Sequence, residues 1–318
     1  MLGRVVGKWP QPVAPKLTLI VPAPSVNVPS SAPVLPDTSQ GRPPAHEGGG
    51  SLGAALDVSL TVVDDQAYAR DEWIHASRLH EMCSRQAVLA RASLGTPRVI
   101  RSADRMRWDI GHAVQAWVEN KYLGPMGRLW GDWRCEACDE LYVGVLWRPA
   151  CACGKPLHYV EREVRHAELG IVGHVDGYDF DVARADEIGG VLEIKTISER
   201  LFGFLREPKP EHVWRTMLYC WLDDRSWGRI LYVSMGYESR SPFREFLLER
   251  VAISDVMVWR LVDSASGRLI REIPDDIEAT VRATVAAVRD GGKRACGASS
   301  DARAMSCAWR TECWRGAA

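Results

Sequence analysis

The chain has 318 residues, a formal net charge of −1, 46% hydrophobic and 25% charged residues, with 9 Cys, 13 Trp and 18 Pro. Those fractions are ordinary for soluble globular proteins and exclude a fibrous or wholly disordered chain. No run of about 18 uncharged apolar residues occurs, which excludes a transmembrane helix, and near-neutrality means that any nucleic-acid contact needs a local basic surface.

The N-terminus shows no compact apolar stretch with a small-residue cleavage site, so a cytoplasmic protein is expected. Ten of the 18 prolines fall between Pro10 and Pro44, followed by Gly48-Gly49-Gly50. That composition buries little, so residues 1–55 are expected to form a disordered tail and 56–318 one large domain. A helical stretch is expected from Asp65 to Ala92. Ser102 suits the N-cap of a second helix, with Met106, Ile110, Ala113, Val114 and Trp117 at helical spacing. Strands are expected at Tyr142–Trp147, Leu157–Val164, Ile171–Val175, Val191–Thr196 and Ile230–Met235. Glu211–Leu222, after Pro208 and Pro210, suits a helix. Ile277, Val281, Val285 and Val288 mark one face of another, which Gly291-Gly292 should end. The expected class is α/β: a central mixed sheet flanked by helices.

An odd number of cysteines in a cytosolic chain argues for metal rather than a disulfide framework. Cys135, Cys138, Cys151 and Cys153 lie within 19 residues, around a strand candidate. Two such pairs are what structural zinc needs for tetrahedral thiolate coordination, so a zinc ribbon is expected as an insertion at 130–158. Cys83, Cys296, Cys307 and Cys313 are widely spread. On residue type alone they suit an iron–sulfur cluster, zinc or free buried thiols.

The stretch Gly173-His174-Val175-Asp176-Gly177 followed by Val191-Leu192-Glu193-Ile194-Lys195-Thr196 carries the chemistry. Alternation on a strand puts Glu193 and Lys195 on one face, with Leu192 and Ile194 toward the core. Asp176, ending the preceding strand, can meet them. Two carboxylates and a carbonyl make a hard oxygen site suited to magnesium or manganese, beside a lysine able to orient water or stabilise phosphate charge.

In order along the chain, His112 in Gly111-His112-Ala113, Glu163 (or Glu161), Asp176, Glu193-Ile194-Lys195, and His212 and Tyr219 on a later helix resemble the RecB-like branch of the PD-(D/E)XK nuclease superfamily. Arg215 stands where that branch has glutamine. Cys83, with Cys307 and Cys313 separated by five residues, resembles the iron–sulfur members, a group that includes CRISPR-associated exonucleases and phage-encoded relatives, which implies a bacterium or a phage-infected host cell. Their first two C-terminal cysteines are closer together than Cys296 and Cys307. The resemblance implies a restriction-endonuclease-like core and a 4Fe–4S clamp on Cys83, Cys296, Cys307 and Cys313, with 294–318 as the C-terminal cysteine segment. It also implies metal-dependent DNA hydrolysis in recombination, end processing or repair, exonucleolytic rather than endonucleolytic. Asp176, Glu193, the Ile194 carbonyl and His112 would bind the metal, Lys195 would position water, and Tyr219 would join the catalytic group. Glu163, His212 and Arg215 would serve as DNA-contacting or accessory residues. The implied partners are single-stranded or duplex DNA ends, with room for a recombination partner protein and for oligomers, and no membrane. The alternative is an inactive DNA-binding or assembly protein on the same fold.

Overall fold

In the computed structural model, the described residues are 62–64, 73–79, 83–92, 98–147, 150–181, 184, 189–236, 241–293, 295–297, 300, 305, 307 and 310–314. The expected tail, 1–55, lies outside them, as do residues 65–72 of the first expected helix.

The chain runs β1 (Val62–Asp64), β2 (Ile74–His75), α1 (Ala76–Leu79), α2 (Ser84–Ala92), β3 (Arg98–Ile100) and α3 (Ser102–Val118). A π-helical turn, Glu119–Leu123, follows, then β4 (Leu129–Cys135), β5 (Leu141–Leu146), β6 (Leu157–Val160), β7 (Arg162–His166), β8 (Ile171–Val175), β9 (Gly177–Asp179) and β10 (Gly190–Ile197). The rest is α4 (Glu199–Phe204), α5 (Pro210–Leu222), β11 (Trp227–Ser234), β12 (Phe243–Ile253), β13 (Val256–Asp263), β14 (Leu269–Pro274), α6 (Ile277–Arg289) and α7 (Arg310–Trp314). The expected mixed α/β architecture is borne out. A nine-stranded sheet has the order β14-β13-β12-β11-β10-β9-β4-β5, with β6 also on β4; a three-stranded sheet has the order β2-β8-β7. β10 and β11 are parallel, joined through α4 and α5, and the other pairs of the large sheet are antiparallel. A parallel pair requires such a crossover, and its strands are buried on both faces.

β10 shows this double burial. Val191 and Ile197 join Val213, Met217 and Leu218 of α5 and Val281 and Val285 of α6 in one core. Leu192 and Ile194 join Val118, Trp133, Cys135, Cys151, Leu157 and Tyr159 in a second core on the opposite face. The cysteine-bearing segment therefore continues the central sheet through β4 and packs directly behind the Glu193-Ile194-Lys195 strand.

Local chemistry explains most element ends. Pro210 opens α5, where a missing N–H costs nothing. α6 buries Ile277, Val281, Val285 and Val288 as expected, and Gly291 and Gly292, at φ 88° and 75°, follow its end. Three expectations need correction. Ser102 is the first helical residue of α3 and Arg101 takes the cap position, without a side-chain cap bond. Within the expected 65–92 helix, Ile74–His75 is a strand paired in parallel with Ile171–Val172, because Ile74 is worth more buried against β8 than on a helix. The expected 157–164 strand breaks at Glu161, its halves pairing with β4 and β8 in different sheets. No helix among the described residues is long and apolar enough to cross a membrane.

Candidate active site and cysteine centre

β8 delivers Asp176 and β10 delivers Glu193 and Lys195. The Asp176 carboxylate accepts the Ile194 N–H at 2.7 Å and the Lys195 ammonium at 3.1 Å. Lys195 Nζ also lies 2.8 Å from Glu193 Oε1 and donates to the Ile194 carbonyl at 2.9 Å. One ammonium thus lies between two carboxylates. Arg215, one face of α5 away, adds a second cation 3.2 Å from the same Glu193 oxygen, and its other nitrogen reaches the Ser77 carbonyl at 3.4 Å. The expected alignment of Glu193 with Lys195 holds, but their face is buried under α5 rather than solvated. Glu193 is 0% exposed, and its Oε2 has no hydrogen-bond partner among the described residues.

The electrostatics follow from that burial. Desolvation pushes the Glu193 carboxyl up, Lys195 and Arg215 oppose it, and Asp176 adds to it. Burial works against the charge on Lys195, but Asp176 and Glu193 outweigh it and hold the ammonium protonated. Tyr219 lies in the core below, its phenol pushed up by burial and then by Glu193 and Asp176. It fits there because residue 173 is glycine: a Cβ would lie 2.6 Å from the Tyr219 ring.

Beside this cluster a recess of about 310 Å³ is lined by His112, Gln115, Ala116, Glu119, Tyr159 and Glu161. Of the two upstream carboxylates, Glu161 lines it, whereas Glu163 is paired with Arg165 and lies 3.7 Å from His174. His212 is engaged with the Tyr232 hydroxyl at 2.6 Å.

Glu119 was not among the expected site residues. It is buried, accepts a bond from Gln115 at 2.9 Å, and has its pKa raised to about 8 by desolvation, against that bond, with Asp176 and Glu161 adding to the rise. The signal was helical: His112, Gln115 and Glu119 are spaced i, i+3, i+7 on one face. Its place in a π turn, closed by Gly124 N–H to Glu119 O at 2.8 Å, fits the tendency of such turns to occur at functional sites. A raised folded pKa stabilises the protein fully below the unfolded value near 4.5, and that contribution is lost as pH rises through about 8. Protein without added magnesium or manganese is therefore expected to lose stability from pH 4.5 to 8, and Glu119→Gln to flatten that slope in urea melts. An unchanged slope would show that Glu119 does not titrate in this window.

The second cluster is built of thiols. The sulfurs of Cys135, Cys138, Cys151 and Cys153 all lie within 4.8 Å of one another. Bonds of about 2.3 Å in a tetrahedron place thiolates about 3.8 Å apart, so the spacing fits a single ion. Tyr142 donates to Cys151 Sγ at 3.4 Å, and chiefly through that bond the thiol's pKa falls to about 6. The four cysteines expected to hold an iron–sulfur cluster, Cys83, Cys296, Cys307 and Cys313, do not converge into a metal-binding group among the described residues. Cys83 and Cys313 are buried, with Cys296 and Cys307 partly exposed. Cys83 Sγ accepts the Ala295 N–H at 3.3 Å, and α7, carrying Cys313, packs on α2. The fold thus brings the N- and C-terminal cysteine segments together.

No protein-family model matches the chain, and neither does any curated protein. Among solved structures, it is similar to an alkaline exonuclease (LHK-Exo) from Laribacter hongkongensis, with 16% identity over 70% of this chain and 90% of that one and a TM-score of 0.42. LHK-Exo in complex with dAMP matches at 14% identity, 69% and 86% coverage, and TM-score 0.38. A protein designated SSO0001 matches at 16%, 75% and 83%, and 0.32.

Proposed function

We propose that the protein is a divalent-cation-dependent deoxyribonuclease of the PD-(D/E)XK type, RecB-like branch, acting as an exonuclease on DNA ends in recombination, end processing or repair. One observation supports this: Asp176 and Glu193 are buried around Lys195, with one Glu193 oxygen left without a hydrogen-bond partner among the described residues. A purely structural ion pair has no reason to leave a buried carboxylate oxygen unsatisfied, whereas a hard cation would satisfy it.

In this reading Asp176, Glu193, the Ile194 carbonyl and His112 hold magnesium or manganese, which supplies Lewis-acid polarisation of a phosphoryl oxygen and acidifies water. Lys195, kept protonated, orients the attacking water and offsets charge building on the phosphate. The recess receives the phosphate, and Tyr219 packs beneath the carboxylates. Zinc is assigned to the four clustered thiols and a 4Fe–4S cluster to Cys83, Cys296, Cys307 and Cys313. Metal analysis and visible charge-transfer absorption of anaerobically purified protein test both assignments.

The decisive experiment uses end-labelled linear and circular DNA, single- and double-stranded, with magnesium or manganese. Loss of linear DNA with sparing of circles is expected; no cleavage by protein that retains its metals would defeat the nuclease reading. The Arg215–Glu193 pair favours a second reading, an inactive DNA-binding protein whose metal site is closed by arginine. Under the first reading Arg215 turns to phosphate once the carboxylate has its cation, and Arg215→Gln lowers kcat/KM about tenfold, the value of a lost charged hydrogen bond. Under the second, Arg215→Gln creates cleavage that the parent lacks.

A further inference from the structure

We infer that the exposed face of α3 running away from the recess is the track of a single-stranded DNA segment, with Trp108 as a base-stacking platform and Arg101 and Arg105 as phosphate contacts. This rests on the nuclease reading for the identity of the group in the recess. Residues 101, 105, 108, 112, 115 and 119 recur at i+3 and i+4, so Arg101, Arg105 and Trp108 continue the stripe on which His112, Gln115 and Glu119 line the recess. With about 1.5 Å of rise per residue, Trp108 lies about 6 Å, Arg105 about 10 Å and Arg101 about 16 Å beyond His112, a length that an extended strand covers in a few nucleotides.

Trp108 is 45% exposed and has no ring or cation partner among the described residues. Trp117, around the helix from it, is capped by Tyr122 at 4.7 Å. An exposed indole gains from covering by an apolar surface, and an unpaired base offers a flat one that stacks on the ring where the paired interior of a duplex does not. Charge agrees in sign. Arg105 shares Asp109 at 3.0 Å, and Arg107, off the stripe, takes Asp104 at 3.2 Å, leaving Arg101 as the net positive charge. Without that basic end the face would suit a protein partner; with it, and with the recess contiguous, the occupant is a nucleic-acid strand.

The test is fluorescence anisotropy of labelled oligothymidylate, about 20 nucleotides long, on the full protein with its thiol-bound metal retained and no magnesium or manganese added, beside a blunt duplex of equal length. Trp108→Ala is expected to weaken single-strand binding about tenfold and duplex binding by less than twofold, and Trp108→Phe to restore most of the loss. Arg101→Gln with Arg105→Gln should reduce the salt dependence of single-strand binding by about one to two counterions. Met106→Ala, equally exposed on the same helix but off the stripe, should change nothing. Single-strand affinity within twofold of the parent for Trp108→Ala, an equal loss on duplex, or no single-strand binding by the parent would each overturn the inference. Because no cleavage is needed, the two readings separate. Trp108-dependent binding without hydrolysis in magnesium or manganese keeps the track and defeats the nuclease, and hydrolysis with Trp108-independent binding does the reverse.

Discussion

Lys195→Met is expected to lower metal-dependent DNA cleavage by about 10²- to 10³-fold or more, the loss typical of removing one preorganised charge donor from a phosphate or oxyanion site. The same substitution has a second consequence, set by burial. In the metal-free protein Lys195 is the shared counterion of Asp176 and Glu193. Removing one member of a buried ion cluster costs up to about 3–5 kcal/mol; here Arg215 still faces Glu193, and Asp176 is the carboxylate that loses its ammonium. The metal-free variant should therefore melt well below the parent. A divalent cation replaces the missing charge without having to compete with an ammonium, so saturating magnesium should raise the variant's melting temperature more than the parent's. Methionine preserves the aliphatic stem, so packing is not the variable. Equal metal-induced shifts in the two proteins would show that the ion does not bind at these carboxylates, and parental cleavage rates would remove Lys195 from the chemistry.

How much of this was legible in the sequence follows from which interactions are local. Asp176, Glu193 and Lys195 could be placed together because strand alternation and a turn-bounded apolar run are short-range patterns, and the structure does bring them within 3.1 Å. The complete burial of Glu193, with Lys195 left partly exposed, was not legible: it depends on α5 covering one face of β10 and the cysteine segment covering the other. The β12–β14 meander, Phe243 to Pro274, escaped notice because the β12–β13 turn is Ser254-Asp255, both at positive φ, without the glycine or asparagine that usually marks such a hairpin. The meaning of Glu119 lies in tertiary contacts, the approach of α3 to β10 and of the π turn to β6, which no local pattern announces. The buried Asp179, held by Arg128 at 2.8–2.9 Å and by Arg229 at 2.6 Å, reads in sequence as an ordinary acidic residue but ties β9 and the start of β4 to β11.

The cysteine centre should matter more to the fold than its size suggests. Cys135 ends β4 and Cys151 precedes β6, and both are buried in the core that contains Leu192 and Ile194. Four thiols this close have little to hold them together without an ion. Among them the only favourable contacts are weak sulfur hydrogen bonds, such as those at 3.5 Å between Cys135 and Cys153 and between Cys138 and Cys151. Binding of structural zinc by four thiolates is worth about 10–16 kcal/mol in small zinc domains at neutral pH, comparable to the whole stability of a domain this size. Cys151→Ser, or chelation strong enough to strip the site, is therefore expected to abolish a single cooperative melt and to release one zinc per chain. Loss of packing behind Leu192 and Ile194 would disorder the strand that aligns Glu193 with Asp176, so DNA cleavage should fall in parallel with zinc content, even with magnesium in excess. Cys220→Ser serves as the control: it is buried behind β11, bonded to the Trp227 carbonyl at 3.2 Å, and distant in sequence from the thiol cluster. It should leave zinc content unchanged. A stripped protein that melts cooperatively at the parental temperature would reduce the four thiols to a surface knuckle with no hold on the active strand.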